Sequence, residues 1–250
     1  MRNRALVPAG DLEQSSVAAN NTMNRERGLT GVNSYTRELG LDLLARLAHR
    51  PAPSWLDLCS GEGRALREAA PALPADAVLT AVDLVGPLVP TPTPAAMEEV
   101  IASVSSWTPD RTYDLITCVH GLHYVGDQLG LLTRAASWLA GDGLLAAHFD
   151  PESIRHADGS TAAKAAVSAL RAAGYEYSPR HHRLTLHGGR PVRLPFRYLG
   201  ADPSAGPNYT GQPAIASYYT SVAGAVVRSQ PSGRFGPEGP SHHRSVNGSA

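Results

Sequence analysis

Two carboxylates and a glycine-containing turn carry the first legible chemistry in this chain: Asp57, the run Cys59-Ser-Gly-Glu-Gly63, and Asp83. An apolar run from Ser54 leads up to the turn and a helical stretch opens near Glu62, so the glycines fall where a strand turns into a helix. Such a turn brings backbone N–H groups and a helix N-terminus up to a ligand, and glycine is used where a side chain would block that approach. Taken alone, Gly-x-Gly is also what an ordinary strand-to-helix junction looks like. The neighbours separate the two readings. A dinucleotide site wants a third glycine three residues after the second, where this chain has Leu66, and its pyrophosphate would be repelled by an adjacent carboxylate. Asp57, four residues before Gly61, suits a ligand bearing an ammonium and a sulfonium better than one bearing two phosphates. Asp83 ends a second apolar run, Val78–Asp83, about 20 residues after the glycines, where a carboxylate can accept hydrogen bonds from both ribose hydroxyls.

Histidines form the second group. In open α/β sheets the ligand crevice lies beyond the carboxyl ends of the strands. That puts His120 and His123 just past a strand over 113–119, and His148 at the end of one over 143–149. A histidine near its ordinary pKa can take a proton from a hydroxyl or amine. The competing reading has His120 merely packing against a ligand and His123 beginning a helix. Cys118-x-His120-x-x-His123 shows no fourth ligand, and Cys118 falls inside the strand, so no metal site is expected.

These residues need a scaffold, and the pattern from Ser54 onward supplies one. Short apolar runs alternate with helical stretches, which predicts βαβ units and a parallel sheet. Strands are expected near 54–58, 78–83, 99–104, 113–119 and 143–149, with helices near 62–70, 94–98, 127–140 and 160–173. Ser34 to His49 reads as one amphipathic helix before the sheet. A hairpin is expected from His181–His187, a Gly188-Gly189 turn and Pro191–Tyr198, with Pro191 and Pro195 making its second strand an edge or an irregular one. Residues 1–25 and 228–250 lack a hydrophobic period and are expected to be disordered, which leaves one domain over 26–227.

Residues 57–63 resemble motif I of the class I S-adenosylmethionine-dependent methyltransferases, acidic-x-Gly-x-Gly-x-Gly, with Cys59 in place of the first glycine. Asp83 is similar to the ribose-binding acid of that family, and Tyr113–Tyr124 to its fourth-strand motif. The resemblance covers roughly 34–200 and implies a three-layer α/β/α fold with a seven-stranded, mostly parallel sheet and one reversed strand. It also implies S-adenosylmethionine as cofactor and S-adenosylhomocysteine as product. On that reading Asp57, Cys59, Ser60, Gly61 and Gly63 shape the methionine and ribose site, Asp83 and Leu84 hold the ribose, and Ser103 and Val104 flank adenine. His120 lies between cofactor and acceptor, with His120 and His123 as the catalytic candidates.

Tyr35 and Arg37 sit in a segment, Gly31–Gly40, that in such enzymes often covers the cofactor; the alternative is that Tyr35 anchors the helix and Arg37 pairs with a neighbouring acid. The stretch Tyr198–Tyr219 is rich in Pro, Gly and Tyr. His148 with Asn208, Tyr209, Gln212 and Tyr218 would then face the acceptor, or the stretch is a loop and short helix sealing the sheet edge. The five arginines between Arg180 and Arg197 read as the solvated side of the hairpin rather than an anion site.

Composition bounds the partners. The 22 acidic and 22 basic residues balance, so nothing in the net charge points to nucleic acid. The two cysteines lack a disulfide framework and no signal peptide or membrane span is evident, so a cytoplasmic protein is expected. The expected function is methyl transfer to an oxygen or nitrogen of a small molecule or peptide, in secondary metabolism. Two alternatives stay open: a protein that binds S-adenosylmethionine without transferring its methyl, and a nicotinamide-dependent oxidoreductase.

Overall fold

The computed structural model describes residues 6–12, 27–87 and 91–222. A seven-stranded sheet forms the middle layer, in the order β3 (Met97–Ile101), β2 (Val78–Asp83), β1 (Ser54–Leu58), β4 (Tyr113–Cys118), β5 (Leu139–His148), β8 (Arg183–His187), β7 (Tyr175–Ser178). The first five strands run parallel, and β8 is antiparallel to both its neighbours. The three-layer sheet with one reversed strand is therefore borne out.

Alternation along the strands assigns the two faces. Trp55, Leu79, Leu115 and Leu144 pack with Tyr35, Leu39, Leu43, Leu47 and Leu66, so α2 (Tyr35–Leu39), α3 (Leu43–Ala48) and α4 (Arg64–Ala69) cover one side. Leu56, Leu58, Ile116 and Leu145 pack with Leu132, Ala136, Ala166 and Leu170, which puts α5 (Gln128–Trp138) and α6 (Ala163–Ala172) on the other. A parallel sheet buried on both faces needs apolar residues at successive positions, and β1 and β4 have them.

Several elements differ from the sequence reading, each for a local reason. Ser34–His49 is two helices rather than one, because Gly40 adopts a left-handed φ of 61° as a cap and the Asp42 side chain restarts the chain by accepting from the Ala45 N–H at 2.9 Å. Residues 94–98 are not a helix: the prolines at 92 and 94 give a turn, and β3 begins at Met97, two residues before the expected strand. The hairpin pairs differently. β8 turns back onto β7 before it, while the chain beyond Gly189 leaves the large sheet.

That departing chain forms a second sheet, β6 (Ile154–His156), β10 (Ala216–Ser221) and β9 (Phe196–Asp202). Residues 214–219, read as a loop and short helix, belong largely to the central strand of this sheet. It is anchored to the large sheet at α5: the Tyr219 hydroxyl donates to Asp127 Oδ1 at 2.9 Å and accepts from the Leu129 N–H at 3.1 Å, and the Ile215 N–H donates to the His123 carbonyl at 2.9 Å. Part of the stretch read as an N-terminal tail also packs here. Val7 exchanges backbone hydrogen bonds with Ala201, and Leu12, on the turn of helix α1 (Ala9–Leu12), is buried. The stretch 228–250 lies outside the described residues. No helix among the described residues is long and apolar enough to cross a membrane.

Candidate active site

The carboxyl ends of β1, β2, β4 and β5 gather the candidate residues. Beyond β1 the chain turns through Cys59 (φ 57°), Gly61 (φ 61°) and Gly63 (φ 65°) into α4. Asp83, at the end of β2, holds that turn: Oδ2 accepts from the Gly61 N–H at 2.8 Å and Oδ1 from the Val85 N–H at 3.0 Å. A groove runs here between Ser60, Gly61, Gly63, Asp83, Val85 and Ile101. Leu84 is half-buried directly after the acid. A carboxylate accepts at about four positions, so holding the turn does not by itself exhaust Asp83.

Cys59 occupies a left-handed backbone that a residue with a side chain adopts at a cost. Gly121, just past β4, makes the room for it. A Cβ built on Gly121 would lie 2.4 Å from the Cys59 Cβ and 2.9 Å from both the Cys59 and Cys118 sulfurs. The side chain that replaces the first motif glycine is thus accommodated by a glycine just beyond the neighbouring strand. Both cysteines are free, and the Cys59 thiol is pushed well above its ordinary pKa by its hydrogen bond to Cys118 and by burial.

Asp57 is fully buried, one strand position from the turn. Its Oδ2 accepts from the Tyr35 hydroxyl at 2.8 Å and its Oδ1 from the Thr117 hydroxyl at 2.6 Å, while Thr117 accepts from the Trp55 indole at 2.7 Å. Burial pushes the Asp57 carboxyl up to about 7 against the pull of those two hydrogen bonds. Tyr35 therefore docks α2 onto the sheet through Asp57. Arg37, two residues further on, points out to solvent. Helical geometry separates them, since residues two apart lie on different faces while Tyr35 and Glu38, three apart, share one.

Glu38 is the residue the sequence reading did not single out. Its Oε2 lies 3.1 Å from His120 Nε2 and 3.9 Å from His148 Nε2, and its Oε1 accepts from Arg27 at 2.8 Å. The hydrogen bond to His120 draws the Glu38 carboxyl down to about 2. The signal available in the sequence was the shared face with Tyr35. His120 itself has a left-handed φ of 57°. Its ring stacks on His148 at 4.0 Å between centroids and lies 6.0 Å from His123. Burial lowers both His123 and His148 to about 3, so each is neutral near pH 7. One ligand atom each from Glu38, His120 and His148 lie within 4.8 Å of one another. Glu38 is already paired there by His120 and Arg27.

Of the acceptor-side residues, Tyr209 reaches this cluster: its ring stacks on His182 at 3.7 Å and meets His123 near a right angle at 5.4 Å. Asn208 and Gln212 instead close the loop on which Tyr209 sits, the Asn208 N–H donating to the Gln212 carbonyl at 2.8 Å. Tyr218 is buried within β10. Of the two residues expected to flank adenine, Val104 is buried in the core with its carbonyl accepting from Arg134 at 2.9 Å, and Ser103 caps its own turn by accepting from the Ser105 N–H.

The profile of the methyltransferase domain matches residues 32–182, which is more than half of the chain. The chain belongs to the methyltransferase-domain family, and this bears out its reading as a class I S-adenosylmethionine-dependent methyltransferase. No curated protein matches it by sequence. Among solved structures it is similar to the plantazolicin methyltransferase BpumL bound to a monoazolic desmethylPZN analog and SAH (16% identity, TM-score 0.35, covering 45% of this chain and 44% of that one). It is also similar to SAM-bound CalS10, an amino pentose methyltransferase from Micromonospora echinaspora (18% identity, TM-score 0.35, 53% and 55% covered), and to coclaurine N-methyltransferase bound to N-methylheliamine and SAH (20% identity, TM-score 0.35, 58% and 46% covered). The chain spans about half the length of the solved structures it matches.

Proposed function

We propose that this protein moves the methyl group of S-adenosylmethionine to an oxygen or nitrogen of a small molecule or peptide, in the cytosol and as part of secondary metabolism. The observation that carries the reading is the junction of two built ends. A glycine turn held by Asp83 and a half-buried Glu38 paired with buried His120 both lie at the carboxyl edge of the sheet, where the ligand crevice of such folds lies. The residues fit the cofactor: the turn exposes backbone to a groove, Asp83 suits the ribose, and Tyr35 with Asp57 closes the methionine end. The cofactor, when bound, supplies an electrophilic methyl group.

The protein's part is then to align the acceptor with that methyl and to keep water out, since an in-line displacement needs little else. His120 is placed to take the proton the acceptor loses, and the Glu38 carboxylate at 3.1 Å would stabilise the imidazolium so formed. Neutral His123 and His148 line the acceptor side. That both cysteines are free thiols supports a reducing compartment.

The test is incubation with labelled S-adenosylmethionine and a panel of hydroxyl and amine acceptors, with release of S-adenosylhomocysteine as readout. Asp83→Ala should abolish turnover. Cofactor binding by calorimetry with no release from any acceptor would point instead to a protein that binds without transferring. Thermal stabilisation by NAD or NADP but not by S-adenosylmethionine would overturn the reading altogether.

A further inference from the structure

The ends of β4 and β5 hold a group of buried nitrogens that the protein does not satisfy. Among the described residues, His123 Nδ1 and Nε2, His148 Nδ1 and Asn208 Nδ2 have no hydrogen-bond partner. His123 is 0% and His148 2% exposed, so these nitrogens lie away from bulk solvent. A neutral imidazole has one donor and one acceptor, and leaving each bare in the interior forfeits the hydrogen bonds it would make to water. Buried polar groups are otherwise nearly always paired, and a cluster of exceptions beside a reaction centre calls for an explanation.

We propose that this cluster is the acceptor subsite and that it takes an uncharged aromatic acceptor, a phenol or heteroaromatic hydroxyl, whose ring packs on Tyr209 and whose polar atoms pair with His123 and His148. The inference rests on the methyl-transfer reading and names its substrate class. Three observations select that class. The walls are flat rings: Tyr209 lies 5.4 Å from His123 and 6.2 Å from His120, and aromatic side chains favour offset or edge contacts at such distances. The charge is already settled. Glu38 is already paired with Arg27 and His120, so a cationic acceptor would compete with Arg27, while His123 and His148, neutral near pH 7, bring no counter-charge to an anionic one. The polar demand is for a group that both donates and accepts, as a hydroxyl does.

The entrance is the loop that carries Tyr209. It is closed on itself by the Asn208–Gln212 bond, by the Gly211 N–H donating to the Asn208 carbonyl at 2.9 Å, and by the Pro207–Pro213 bridge. Tyr209 is 40% exposed and contacts the cluster through its ring, stacked on His182 and edge-on to His123, so the ring can swing from His182 without breaking a hydrogen bond of the framework.

The experiment is calorimetric titration of the protein, saturated with S-adenosylhomocysteine, with three probes of one shape: 2-naphthol, 2-naphthoate and decahydro-2-naphthol. The expected result is that 2-naphthol binds at least tenfold more tightly than the other two. His123→Ala and Tyr209→Ala should each weaken it at least tenfold, and Tyr209→Phe, which keeps the ring, should retain it. S-adenosylhomocysteine binding by each variant reports that it has folded. If His123→Ala fails that check, the contrast between Tyr209→Ala and Tyr209→Phe decides. The proposal is overturned if naphthoate or the saturated alcohol binds as well as naphthol, if the folded variants bind naphthol unchanged, or if no probe binds to protein that does bind S-adenosylhomocysteine. Failure of S-adenosylhomocysteine itself to bind would overturn the methyl-transfer reading instead.

Discussion

The turn beyond β1 and the histidine cluster beyond β4 and β5 lie at the same edge of one sheet, yet they are finished to different degrees. At the turn, both oxygens of Asp83 and both of Asp57 accept hydrogen bonds, and the strained Cys59 backbone is matched by Gly121. At the cluster, one imidazole has a carboxylate partner while its neighbours keep bare nitrogens. The difference teaches that the turn is pre-organised by the chain alone. On the proposed reading the acceptor end is completed by what enters it, and a site of that kind holds its own shape less firmly than the turn.

Asp57 provides the largest expected effect on that contrast. Its folded pKa of about 7 lies above the unfolded value of about 3.8, so between those values the folded state binds a proton that the unfolded state does not. Stability attributable to this group is therefore full below about pH 4 and falls as pH rises towards 7, by up to about 4 kcal/mol for a shift of this size. Chemical denaturation across that range should show a steeper loss in the native protein than in Asp57→Asn; equal slopes would mean that the carboxyl is not buried as described.

Next comes Asp83→Ala, which removes the charge-assisted hydrogen bond that holds the turn at Gly61 and a second one to Val85. Affinity for S-adenosylhomocysteine should fall by roughly 100-fold, in line with about 1.5–3 kcal/mol for a bond to a charged group. Undiminished affinity would show that the turn holds itself.

A comparable effect on stability is expected at the seam between the two regions. Gly121→Ala should cost about 1–3 kcal/mol by overpacking against Cys59, and Cys59→Gly in the same chain should recover most of it. Additive losses in the double variant would mean that the two positions do not compete for space.

Glu38→Gln tests the finished half of the acceptor end. It keeps the shape and removes the charge, so turnover should fall by roughly tenfold through loss of imidazolium stabilisation, with cofactor affinity nearly unchanged. A parallel loss of cofactor binding would move Glu38 to the cofactor end.

The smallest effect is at the helix that joins both. Ser34 caps α2, accepting from the Arg37 N–H, and Ser34→Ala should lower stability by about 1 kcal/mol.

Legibility in the sequence followed the range of the interaction. The β1 and β2 boundaries and the placement of the acids beyond them were readable because a strand, a turn and a helix N-terminus are local patterns. Pro92 and Pro94 are equally local and exclude the helix expected over 94–98, and Gly40 is an equally local break that divides Ser34–His49 into two helices. Glu38 needed only its three-residue spacing from Tyr35 to be placed on the inner face. Its meeting with His120, 82 residues away in sequence, had no sequence signature.

What the sequence determined by itself was the alternating α/β order, the turn with its two carboxylates, and hence the methyltransferase class. Each of these is fixed by neighbours along the chain. Only the tertiary structure decided that β8 pairs backwards onto β7, that 196–221 builds a second sheet, and that Tyr35 closes over Asp57 while Glu38 reaches His120. It alone showed that Cys59 is tolerated because Gly121 lies opposite. Such pairings depend on which surfaces bury each other, and burial is a property of the assembled layers that no local run of residues encodes.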